Sequence, residues 1–207
     1  MTIEQIISDK NIQQVLHFTT TKGLLGILAS GAVKSRSRLP EDKYLECIYE
    51  PNCSVRYDSA WLDYVNLSIE SINKSFFQIC SSKWHQDSEW CILSFNPTVM
   101  THDGVFFATT NNRYTGVRQG DGPRGLLALY APTITQWSSR VVQRRTNLLP
   151  SEPTCPQAEV LYPRELSLAY AQKIIFSTDQ QVENYMGQLA AFDMSEIPWE
   201  VIPSCFY

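Results

Sequence analysis

His17 stands at the end of a short apolar run, Val15-Leu16-His17-Phe18, directly before Thr19 and Thr20. Imidazole offers one donor and one acceptor in fixed directions, so a strand-end histidine beside a hydroxyl residue suits a sugar diol. A structural histidine that caps the turn is the competing reading of the same spacing. A second group stands out by type. Six arginines, at 113, 118, 124, 140, 144 and 145, fall in one stretch that holds no lysine and a single acid, Asp121. That stretch carries +5, although the whole chain carries −4, which leaves −9 on the remaining residues. A forked guanidinium matches phosphate and base edges better than an ammonium does. A solvated loop whose charge only aids solubility would have the same composition. The overall acidity excludes a generally basic nucleic-acid coat, so any site for a polyanion is local.

Other motifs fail on context. Gly120-Asp121-Gly122-Pro123-Arg124-Gly125 formally matches G-x-G-x-x-G. A dinucleotide fingerprint needs a strand leading in and a helix leading out, whereas the preceding residues read as loop. No GxxxxGK[ST], GxSxG or HExxH occurs. The six cysteines include no CxxC pair and no cysteine–histidine cluster with zinc spacing, so the expectation is reduced, mostly buried thiols and no metal. The first residues show no basic start followed by an apolar stretch, and no apolar run is long enough to cross a bilayer. The expected setting is cytoplasmic, with no membrane partner.

The elements that must position these groups follow from pattern. With 43 % hydrophobic and 18 % charged residues, the chain of 207 is neither disordered nor fibrous and suits one domain over 1–207. Residues 3–8 read as an opening helix and 15–18 as a strand. Leu24, Leu25, Ile27 and Leu28 recur at helical spacing between threonine caps and Gly31. Residues 34–60 form a polar excursion. A strand and a helix follow over 63–82, then strands at 90–95 and 104–110. Residues 111–125 read as a loop. The segments 126–131 and 137–145 are ambiguous between strand and helix, and short strands close the chain at 158–163, 174–178 and 199–203. This is an α+β pattern without regular βαβ units.

On these residues the chain resembles a known family. His17-x-Thr19 followed by Gly26-Ile27-Leu28-Ala29-Ser30-Gly31 is similar to the H-G-[ST]…GIL…G element of ADP-ribosyltransferases related to poly(ADP-ribose) polymerases. Asp63-Tyr64-Val65, leading through Asn73 to Phe76 and Phe77, resembles a segment of the DarT family, bacterial toxins that ADP-ribosylate DNA bases. Cys91–Phe95 and Val105–Asn111 resemble two further strands. Ala158-Glu159-Val160-Leu161 resembles the strand that carries the catalytic glutamate. The matches run in order from residue 16 to about 176.

The resemblance implies an ADP-ribosyltransferase-like fold, two packed short-stranded sheets flanked by helices around an NAD cleft. It implies an enzyme that takes NAD+ as substrate and modifies a nucleobase in single-stranded DNA, acting as a toxin or phage-defence effector with an antitoxin partner. The alternatives are transfer to RNA or protein, or a non-catalytic nucleotide- or nucleic-acid-binding module. Glu159 would stabilise the oxocarbenium-like transition state and take the proton of the accepting base. Arg56 would meet the pyrophosphate or the base. NAD+ would lie against His17, Phe18, Thr19, Asn73 and Phe77, with Phe77 stacked on nicotinamide and Phe76 in reserve. Arg140, Arg144 and Arg145 would face the nucleic acid, and Trp137 and Tyr114 would be either a stacking face or core.

Overall fold

The computed structural model describes residues 1–41, 59–137, 140–192 and 197–207. Arg56 lies outside them, as do Cys47 and Cys53. The chain opens with α1 (Ile3–Lys10), which starts in a capping box where Thr2 and Gln5 exchange hydrogen bonds. β1 (Val15–Thr20) runs into α2 (Thr21–Ser30), where Thr20 Oγ1 accepts from the Gly23 N–H at 3.0 Å. β2 (Ala32–Lys34) precedes the excursion, and β3 (Tyr64–Ile69) follows it. Next come α3 (Lys74–Ile79), prolonged by a π-helical turn over Cys80–Trp84, β4 (Trp90–Phe95) and β5 (Phe106–Ala108). Then follow β6 (Gln119–Asp121), α4 (Gly122–Ala128), β7 (Thr133–Thr135) and β8 (Val141–Gln143). β9 (Glu159–Pro163), β10 (Glu165–Ser167), β11 (Ala171–Phe176), α5 (Asp179–Phe192) and β12 (Trp199–Val201) complete the order.

The long sheet has the order β12-β11-β4-β1-β3-β9-β5-β6; β2 pairs with β10, and β7 with β8. Residues two apart on a strand share a face, and this alternation sorts the core into two. One face of the sheet is packed by Val15, Val65, Leu67, Leu93, Phe95, Phe107 and Val160 together with residues of α1, α2, α4 and α5. On the other face Leu16, Phe18, Trp90 and Ile92 pack against Phe77 and Cys80 of the α3 segment. β4 is buried on both faces, which is why its sequence is apolar without alternation. No helix among the described residues is long and apolar enough to cross a membrane. Among the described residues Cys91, Cys155 and Cys205 form no disulfide, and burial pushes Cys91 far up from the ordinary thiol range.

Three expectations change. Residues 119–121 are an edge strand, not loop, and α4 starts at Gly122 inside the formal G-x-G-x-x-G. The glycines serve packing there, because a Cβ on Gly125 would overlap the Gly120 carbonyl oxygen. The ambiguous segments resolve into helix α4 and strand β8. Helix α5 was not expected. Its apolar stripe is thin, with Val182, Tyr185 and Leu189 buried at helical spacing among polar residues.

Candidate active site

The long sheet has a seam. β1 pairs with β4 along its whole length, from Val15↔Phe95 to Thr20↔Trp90. With β3 it pairs only at Val15↔Ile69 and Leu16↔Ser68. From His17 onward the two strands part, and the His17 ring takes up the gap, with Nδ1 at 3.1 Å from the Asn66 carbonyl oxygen. A carbonyl only accepts, so the neutral ring carries its proton on Nδ1 and leaves Nε2 as an acceptor. Removal of water from around the ring holds its pKa below the usual histidine range, and the hydrogen bond to Asn66 opposes that shift.

Glu159 opens β9, the strand next to β3, where Val160 pairs with Leu67 and Leu161 with Asn66. Its side chain shares the face of Leu161 and Asn66, away from Val160 in the main core, and it is half-buried. On the far side it pairs with Ala108 of β5. The Asn112 main-chain N–H donates to Glu159 Oε2 at 2.7 Å. β1, β3 and β9 are consecutive in the sheet, so a single strand, β3, stands between the strand of His17 and that of Glu159.

What fixes this geometry is neutral and polar. Asn112 is buried, and its Oδ1 accepts from Gln119 Nε2 at 2.7 Å. The amide of buried Gln136 reaches Cys155 Sγ at 3.1 Å, Gln157 Oε1 at 3.3 Å and Thr110 Oγ1 at 3.4 Å. This knot ties the end of β5, the β7–β8 hairpin and the segment before Glu159 to one another. Sequence reasoning missed Asn112, Gln119 and Gln136. No signal could have found them, because each acts through where its neighbours fall in space.

The remaining predicted residues sort by packing. Thr19 is buried beside the start of α2. Phe18 is buried among Phe76, Phe77 and Trp90, with ring centroids 5.4–5.9 Å away. Asn73 caps α3, Oδ1 accepting from the Phe76 N–H at 3.1 Å, and its buried Nδ2 has no partner among the described residues. Phe77 is 6 % exposed and edge-on to Phe18, Trp90 and Phe206, so it has no open face. Phe76 is half-buried and lies 6.0 Å from the exposed ring of Trp84. Asp63 anchors the start of β3: Arg38 Nε and the Ser35 hydroxyl each donate to its Oδ1 at 2.8 Å, and the Arg38 guanidinium holds the carboxyl below its ordinary range. Among the arginines, Arg144 is spent internally, donating to the carbonyls of Glu152 at 2.8 Å and Leu149 at 2.9 Å. Arg140 and Arg145 are exposed.

The long sheet thus opens at a seam between β1 and β3, with the His17 imidazole in the gap and the Glu159 carboxylate held on β9. Comparison with known proteins supplies the class. Residues 16–207 match the family described as ssDNA thymidine ADP-ribosyltransferase, DarT. The chain belongs to the DarT family and is an ADP-ribosyltransferase of single-stranded DNA. Its fold is similar to that of Thermus sp. 2.9 DarT in complex with NAD+, with a TM-score of 0.67 at 16 % identity over 94 % of this chain and 98 % of that one. It is also similar to the same protein in complex with ADP-ribosylated ssDNA, with a TM-score of 0.64 at 14 % identity over 95 % and 97 %. Thermosipho africanus DarTG in complex with ADP-ribose matches with a TM-score of 0.61 at 14 % identity, over 94 % of this chain and 51 % of that one. No curated protein sequence matches the chain.

Proposed function

We propose that the seam between β1 and β3 is the NAD+ site and that Glu159 directs ADP-ribose from it onto thymidine in single-stranded DNA. The observation that carries this reading is the Glu159 carboxylate, gripped by a main-chain N–H at 2.7 Å on the strand beyond β3, with His17 in the seam on the other side of β3. Two buried amide nitrogens without partners among the described residues, Asn73 Nδ2 and Asn112 Nδ2, fit a site that a polar ligand completes. NAD+ supplies a C1′–nicotinamide bond whose leaving group is already cationic, so no acid has to expel it. Glu159 stabilises positive charge at the anomeric carbon, and its hydrogen bond from Asn112 aims it. The only N–H of thymine is the imide at N3, and Glu159 is the group that takes its proton.

His17 Nε2 accepts from a ribose hydroxyl. Phe76 takes the stacking role in place of Phe77, because only Phe76 keeps part of its ring uncovered. Phe18 and Thr19 line the site by their main chain, and Arg56 meets the pyrophosphate. Arg140 and Arg145 contact the strand; Arg144 braces the loop behind them. Residues 1–207 act as one domain, since the long sheet runs from β1 near the start to β12 near the end. The chain acts in the cytoplasm, as a toxin or phage-defence effector restrained by an antitoxin protein.

The test is incubation of labelled NAD+ with single-stranded DNA, duplex DNA, RNA and protein in parallel, for wild type and Glu159→Ala. Label passes to single-stranded DNA and is lost in the variant, with the fold intact by circular dichroism. Transfer retained in Glu159→Ala overturns the assignment of Glu159, and preferred transfer to RNA or protein overturns the acceptor.

A further inference from the structure

We infer that Trp137 and Tyr114 form a stacking platform for the nucleobase adjacent to the one that is modified, an inference that rests on the reading of this site as a transferase of single-stranded DNA. Trp137 is 47 % exposed at the tip of the β7–β8 hairpin, and its ring meets that of half-exposed Tyr114 edge-on, with centroids 6.5 Å apart. A large apolar ring in water is ordinary when its side chain is free to move. Here the backbone on either side of the ring is tied down. The hairpin tip closes through Gln136 N–H to the Arg140 carbonyl at 2.7 Å and Arg140 N–H to the Trp137 carbonyl at 3.1 Å. The loop bearing Tyr114 touches that tip backbone to backbone, because a Cβ on Gly116 would lie 2.6 Å from the Gln136 carbonyl oxygen.

The mounting is referenced to the catalytic carboxylate from both sides. Asn112, two residues before Tyr114, grips Glu159. Gln136, one residue before Trp137, is knotted to Cys155 and Gln157 just upstream of Glu159. Arg113, Arg118 and Arg140 are exposed on the same two segments, and Asp121 is the one acid in that stretch of sequence. Aromatic faces among cations are what a single strand needs: phosphates follow the charge, and any base offers a π-face to the ring. Holding the neighbouring base by its face leaves the acceptor base free to turn toward Glu159, at little cost in sequence range.

The experiment compares wild type with Trp137→Ala, Trp137→Phe and Tyr114→Ala, using oligonucleotides with one acceptor thymidine flanked on either side by a base or an abasic site. Trp137→Ala raises the KM for the oligonucleotide on the order of 10-fold while the KM for NAD+ stays within about two-fold, and Trp137→Phe recovers most of the loss. An abasic site on one side costs the wild type a similar factor and adds nothing to the loss in Trp137→Ala. An unchanged oligonucleotide KM in Trp137→Ala overturns the platform, as does an abasic penalty that survives in that variant; the exposed pair would then belong to a contact with a protein. Wild type that transfers to none of the oligonucleotides overturns the reading of the site itself, and the platform with it.

Discussion

In the half-sheet β12-β11-β4-β1 the central strand is sealed on both faces, by α2 and α5 on one side and by the aromatic cluster over α3 on the other. In the half-sheet β3-β9-β5-β6 one face joins the main core, while the other carries Tyr64, Asn66, Ser68, Glu159 and Phe106, all only partly buried. The two halves meet at two residue pairs. The contrast teaches a division of labour. A strand packed on both faces, such as β4, offers no group to a ligand and backs the wall of the seam, where β1 presents His17. A half left open on one face can present polar groups to a ligand, provided that hydrogen bonds replace the missing packing. Around Glu159 those bonds come from Asn112 and, behind it, Gln119.

The sharpest way to break the comparison is to alter one residue in each half. Glu159→Gln, in the open half, lowers label transfer on the order of 10²–10³-fold and leaves the melting temperature nearly unchanged, since the Asn112 N–H still finds an amide oxygen. A large drop in melting temperature would show that the open half holds the fold as well. Ile174→Ala, in the sealed half, does the reverse. It lowers unfolding free energy by about 2–5 kcal/mol in urea titrations, and kcat/KM per folded molecule stays at the wild-type value.

The seam itself is read by pH. Burial keeps His17 below its ordinary value of 6.5, so the folded protein refuses a proton that the unfolded chain accepts. Stability is therefore full above pH 6.5 and declines as pH falls below it, down to the folded pKa. In the proposed site it is the neutral ring that accepts from ribose, so the expected kcat/KM profile has an acid limb below pH 6.5. His17→Gln removes the histidine component from both profiles. A profile that does not change on substitution would detach His17 from the seam's function.

The smallest effects separate two neighbouring arginines. Arg144→Ala costs about 1.5–3 kcal/mol of stability through its lost charged hydrogen bonds. Arg145→Ala leaves stability alone and reduces the slope of log KM for DNA against log salt by about 0.7. Equal salt slopes in the two variants would put both residues on the strand.

Much of the scaffold was legible in the sequence because it depends on local pattern. β4 announced itself by an unbroken apolar run, and α2 by its threonine cap and helical spacing. α5 carried the same kind of signal, diluted among glutamines and acids. The edge strand β6 escaped because three polar residues show no alternation. Its strand character comes from pairing with Phe106–Ala108, the strand just before it in the chain.

Residue type made His17 a candidate for a sugar diol, and the ordered motifs that resemble one family made Glu159 the candidate for the anomeric carbon. Tertiary structure decided between look-alikes. Phe76 and Phe77 are the same side chain one residue apart, as are Arg144 and Arg145, and only the neighbours each one met settled which was spent inside. The same holds for Asn112, an ordinary polar residue until the fold brings its backbone N–H to Glu159. The physical reason is that chemical capacity resides in the side chain, whereas exposure and hydrogen-bond partners are set by contacts between distant segments.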